Sequence, residues 1–109
     1  MANHEFGIMQ SDPAAKKRYD EYEPQKYNCI TVNDDCFENT VIKLNCIDFY
    51  WHSLDNPAKG LAYAGITLIP PTSMPPFIDA IKEVFELSEL IKLLEKAFEE
   101  NKWMIHFGL

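Results

Sequence analysis

The period of the apolar positions changes several times along the chain, and each change marks a predicted element. Residues 1–26 hold few aliphatics beyond Ile8 and Met9, carry two prolines, and space their tyrosines among charges in YDEYEPQKY. That pattern specifies neither helix nor strand by itself. It predicts an N-terminal arm, frayed over the first dozen residues and then laid over the domain as a strap by Tyr19, Tyr22 and Tyr27.

The folded body is predicted over 27–109. YNCITV concentrates β-branched and apolar residues, and Asn33-Asp34-Asp35 follows it, which predicts a strand leading into a helix N-cap. Phe37, Val41 and Leu44, with Cys36 and Ile47 beside them, recur at helical spacing while Glu38 and Lys43 fall off that line, so residues 35–45 read as a short amphipathic helix. Thr40, Val41 and Ile42 weigh against it, because β-branched side chains lose rotamer freedom in a helix.

Residues 47–53, IDFYWHS, alternate as a strand: Ile47, Phe49 and Trp51 point one way, Asp48, Tyr50 and His52 the other. Asn56-Pro57 and Gly60 then predict a loop over 54–60. The apolar run LAYAGITLI, 61–69, has no polar face and reads as a strand inside a sheet.

Pro70 and Pro71 end strand pairing, and Pro75-Pro76 suit a first helical turn, whose N–H groups lack helical partners anyway. Phe77, Ile78, Ile81, Val84 and Phe85 form one apolar face and Leu87, Leu90, Ile91, Leu94 and Phe98 another, with Ser88 placed to cap the second of two helices. Asn101 suits a left-handed helix end, and WMIHFG, 103–108, predicts a final strand.

The resulting order, βαββα(α)β, predicts an α+β domain of the ferredoxin-like kind: a four-stranded, mainly antiparallel sheet with its helices on one face. Right-handed crossovers would set the first and last of those strands in the middle. The other sheet face would be bare unless the strap or a partner covers it.

Length and composition fit one domain. The 109 residues allow one hydrophobic core, and 47% apolar with 25% charged residues is ordinary globular usage. The net charge of −7 disfavours nucleic acid and anionic membrane surfaces as partners. Lys16-Lys17-Arg18 is offset at once by Asp20, Glu21 and Glu23. No segment reads as a signal peptide or bilayer span, and Cys29, Cys36 and Cys46 lack metal or disulfide spacing, so a cytoplasmic protein with reduced thiols is expected.

Candidate chemistry is sparse. Walker, GxGxxG, HExxH and GxSxG motifs are missing from the sequence, and no cofactor, metal or catalytic residue is assigned. Asp34, Asp35, Asp48 and Asp55 read first as cap and turn residues. His4 sits in the arm and carries no assignment. Two function classes are compatible with the residues. One is an acidic, non-catalytic interaction or regulatory module that forms a homodimer through its open sheet face or binds another protein, an immunity-type inhibitor of a basic toxin being one case. The alternative is a small enzyme or small-molecule binder with Tyr50, His52, Tyr63 and His106 lining a pocket on that face.

Overall fold

Six strands pair into one sheet, β1 (Asn3–Ile8), β2 (Ile30–Asn33), β3 (Asp48–Trp51), β4 (Pro57–Lys59), β5 (Ile66–Ile69) and β6 (Met104–Phe107), in a computed structural model that describes residues 3–37 and 39–108. Three α-helices accompany them: α1 (Val41–Leu44), α2 (Met74–Ile81) and α3 (Ser88–Glu99). The strand order is β2-β1-β6-β5-β3-β4, and every neighbouring pair is antiparallel.

The domain is therefore α+β, but the expected four-stranded ferredoxin-like sheet is not what forms. Two segments read as arm and loop enter the ladder. His4, Phe6 and Ile8 are buried and alternate with Asn3, Glu5 and Gly7, a period of two that lets β1 pair with β2 on one side and β6 on the other. Strand β4 forms despite Pro57 because it lies at an edge, where a missing N–H costs no ladder bond. Insertion of β1 moves β2, the first strand of the expected order, from the centre to the opposite edge.

The predicted 35–45 helix is replaced by a 3-10 turn, Asp34–Phe37, and the single turn of α1; Glu38 lies outside the described residues. The β-branched run at Thr40 to Ile42 gives that segment too little intrinsic support for a longer helix. The apolar run 61–69 is also shorter as a strand than predicted, since only its last four residues pair. Two helices follow, not one bent one, because Val84 takes extended angles (φ −94°, ψ 102°) between them. Helix α3 ends as Asn101 predicts: it adopts φ 55°, its N–H reaches Phe98 O (3.1 Å), and Lys102 N–H reaches Ala97 O (2.9 Å).

The main core lies between the sheet and the helices. Phe6 and Phe49 from the sheet meet Phe77 of α2 edge-on at 6.1 and 5.8 Å, and Leu90, Leu94 and Ala97 bring one stripe of α3 onto the same cluster. The opposite face is not bare. Met9, Tyr19, Tyr27 and Cys29 of the segment following β1 pack there on Ile66, Leu68, Ile105 and Phe107. Gly7 permits that approach: a Cβ there would stand 2.7 Å from both the Cβ and the carbonyl of Tyr27.

Candidate functional site

The most ordered polar feature is a chain of side chains inside the sheet–helix layer. His4 on β1 and His106 on β6 lie on the same face of two adjacent antiparallel strands, His4 two residues along β1 from Phe6, the residue paired with His106; both histidines are fully buried, and His4 Nδ1 lies 2.8 Å from His106 Nε2. His4 Nε2 lies 2.8 Å from Asp34 Oδ1, and His106 Nδ1 lies 3.1 Å from Thr67 Oγ1, which in turn accepts the Ala62 N–H at 2.8 Å.

One proton arrangement satisfies all of these contacts. The Asp34 carboxylate accepts from His4 Nε2–H, His4 Nδ1 accepts from His106 Nε2–H, and His106 Nδ1 accepts from the Thr67 hydroxyl. His106 is neutral in that arrangement, and every buried side-chain nitrogen among the described residues has a partner. Burial, and next to it the proximity of His4, holds His106 well below the ordinary histidine pKa of 6.5. Tyr63 packs its ring edge-on to His4 at 4.7 Å, and burial together with the Asp34 carboxylate pushes its phenol up to about 12.

This chain resembles an acid–base relay in its order of groups, but it terminates inside the protein. Thr67 is buried, and its oxygen is occupied by a backbone N–H, so no hydroxyl is presented to a cleft. Its visible effect is to join β1, β5, β6 and the Asp34 turn.

A different set of residues borders an open cleft of about 1000 Å³ on the strap side of the sheet. Glu5 of β1, Thr31 of β2 and Phe107 of β6 contribute from the sheet, Asp20 and Tyr22 from the strap, and His52 from the end of β3. Among the described residues its lining holds two carboxylates and neither Lys nor Arg.

Asp20 is already engaged, by Arg18 Nε at 2.7 Å and His52 Nδ1 at 2.9 Å. Glu5 is not: half-buried, it receives the Tyr22 hydroxyl and has no ion-pair partner among the described residues. Its uncompensated charge acts on its surroundings. The hydrogen bond to Glu5 raises the Tyr22 phenol, and burial, then Glu5, pushes the Cys29 thiol up to about 12.

His52 is held in a left-handed conformation, φ 65°, which is uncommon for a residue with a Cβ. Backbone bonds fix it from both sides, His52 N–H to Ile66 O (3.0 Å) and Tyr19 N–H to His52 O (2.6 Å). Its Nδ1 faces two acceptors, the Tyr19 carbonyl at 3.0 Å and Asp20, so that nitrogen carries a proton, while Nε2 lies beside Gly65.

The four site residues predicted from sequence fall in three places. Tyr63 and His106 belong to the buried chain around His4. His52 lines the Glu5 cleft, while Tyr50 packs on Trp103 at 5.6 Å and lines another cleft. The alternation that grouped Tyr50 with His52 stops at Trp51, where the strand ends. Sequence reasoning missed His4, Asp34 and Glu5; the available signal was the two-residue alternation of His4, Phe6 and Ile8, which becomes visible once a histidine is counted as a core residue.

The three cysteines are free thiols, and no group of three or more His, Cys, Asp or Glu side chains among the described residues is placed to hold a metal ion. No described helix is long and apolar enough to cross a membrane. No protein-family model matches the chain, and neither the curated proteins nor the solved structures include a significant match.

Proposed function

We propose that the chain is an acidic, non-catalytic binding module that receives a Lys or Arg side chain of a protein partner in the cleft at Glu5. One observation carries the reading: a half-buried carboxylate with only a phenol as partner, in a cleft whose described lining offers no cation. A guanidinium or ammonium there would gain a charge-assisted hydrogen bond to the Glu5 carboxylate. The net charge of −7 would steer a basic partner toward the surface and speed association.

An immunity-type inhibitor of a basic toxin is the concrete case, acting in the cytoplasm, where its free thiols would stay reduced. The face considered for self-association carries the strap, which favours a different protein over a second copy as the occupant. The small-molecule reading had its four residues around one pocket, and their separation weakens it.

Titration of an isotope-labelled chain with an arginine-containing tetrapeptide tests the reading against the same peptide carrying neutral citrulline. The arginine peptide should shift the Thr31, Gly65 and Phe107 amides, and Glu5→Gln should weaken it roughly 10- to 100-fold, the worth of one hydrogen bond to a charged group. Equal binding of the citrulline peptide, or an unchanged Kd in Glu5→Gln, would overturn it.

A further inference from the structure

A second cleft, of about 720 Å³, lies where the start of the strap, the β3–β4 edge and the start of α2 meet. Its volume is in the range of ligand clefts, and its walls differ in kind from those around Glu5. Tyr50 and Trp103 stand side by side with ring centroids 5.6 Å apart and a 43° tilt, and Pro57, Pro70, Pro71 and Pro76 supply flat, rigid surface around them. Asp12 and Asp48 sit on the lining, which holds neither Lys nor Arg among the described residues.

The two aromatic side chains carry unused donors. The Tyr50 hydroxyl and the Trp103 indole N–H have no hydrogen-bond partner among the described residues, and both side chains are half-buried in the cleft wall. The contrast is Trp51, whose indole N–H is bound to Gly60 O at 2.8 Å. The cleft thus offers ring faces, two free donors and negative charge, and its strand edge is a poor one for β-addition. Strand β4 has three residues, opens on Pro57 and ends on Lys59, which is paired with Asp48 at 2.7 Å.

We propose that this cleft binds an extended, proline-rich segment of a protein partner with a Lys or Arg beside its prolines. A polyproline II segment has no internal hydrogen bonds, so its carbonyls are available to the Trp103 N–H and the Tyr50 O–H. Its proline rings fit between aromatic faces, and its stiffness limits the ordering entropy lost on binding. The flanking cation is drawn by Asp12 and by the Asp48 oxygen not paired with Lys59. This site shares no lining residue with the Glu5 cleft, and it stands or fails separately from the function proposed there.

The test is a titration of the labelled full-length chain with a synthetic peptide of five residues, three of them proline and one arginine. Three controls accompany it: the same peptide with alanine for proline, the same with citrulline for arginine, and arginine amide alone. The two tryptophans report separately through their indole N–H signals, assigned with Trp103→Phe. The Trp103 signal should move saturably while that of Trp51 stays, and the alanine peptide and arginine amide should not saturate.

Trp103→Phe keeps the ring packing and removes the donor, and should weaken binding roughly 2- to 12-fold, the worth of one neutral hydrogen bond. The exposed pair Asp12→Asn with Asp48→Asn leaves the core intact and should weaken the arginine peptide several-fold and flatten its salt dependence. Equal binding of the alanine peptide overturns the proposal, as does arginine amide saturating the same signal, which would make the site one for small cations. Shifts confined to Thr31, Gly65 and Phe107, or an affinity unchanged in both variants, overturn it as well.

Discussion

Replacing Thr67 by Val tests the buried side-chain chain at its least disruptive point, since the two side chains have nearly the same shape and only the hydroxyl is lost. That hydroxyl donates to His106 Nδ1 and accepts the Ala62 N–H, and both partners are buried. The variant leaves one buried acceptor and one buried donor unpaired, each costing about 1–3 kcal/mol, so about 2–5 kcal/mol in total after partial relaxation. For 109 residues the unfolding entropy is about 0.23 kcal/mol/K, and the melting temperature should fall by roughly 9–22 °C.

Thr67→Ser is the control, because it keeps the hydroxyl and removes one buried methyl, a loss of about 1 kcal/mol or roughly 4 °C. Thermal and urea unfolding followed by circular dichroism measure both. Valine should cost more than serine although it preserves volume. The reverse order, or a valine variant within about 0.5 kcal/mol of the parent, would refute the hydrogen-bonded account of His4, His106 and Thr67.

Further expectations rest on other parts of the structure. His106 is kept neutral in the fold, so below its unfolded pKa near 6.5 the unfolded chain binds the extra proton; stability is full above that pH and falls below it by about 1.4 kcal/mol per unit, until the lower folded pKa is passed. Stability measured by urea unfolding should be lower at about pH 5 than at about pH 7.5, and a flat profile would contradict a neutral, buried His106. Gly7→Ala forces the strap off the sheet at Tyr27, with an expected cost of about 1–3 kcal/mol and faster proteolysis within residues 10–28; an unchanged cleavage rate would show that the strap accommodates the methyl. With its pKa near 12, the Cys29 thiol is ionised to only about one part in ten thousand at pH 8, so a disulfide reagent should label exposed Cys46 first and Cys29 only after unfolding, which mass spectrometry of the labelled chain can follow.

Legibility in the sequence followed the strength of local signals. Helix α3 declares itself through Leu90 and Leu94 on one face and charge on the other, although Phe98, read into that face, is exposed and Ala97 is buried in its place; Asn101 marks the helix end because few residues accept a left-handed backbone. The prolines at 75 and 76 place the start of α2 for an equally local reason. Strand β1 gave a weak signal, since NHEFGI mixes a histidine, a glutamate and a glycine, and its six residues are stable as a strand only between two neighbours brought from distant parts of the chain. The same holds for β4, which a proline and a lysine disguise as a loop.

The candidate sites were less legible still. Tyr50, His52, Tyr63 and His106 were selected for their chemistry, and the tertiary structure distributes them between a buried network and two clefts. By itself the sequence determines the α+β composition, the helix pair with its ends, the strand character around Phe49 and His106, and the acidic surface, because each of these depends on neighbours within a few residues or on a sum over the chain. The sheet order, the joining of His4 to His106 across 102 residues, and the exposure of Glu5 in a cleft were decided only by the fold. Those properties depend on which strands become neighbours, and that choice is made by the burial of the whole core, not by any one segment's pattern.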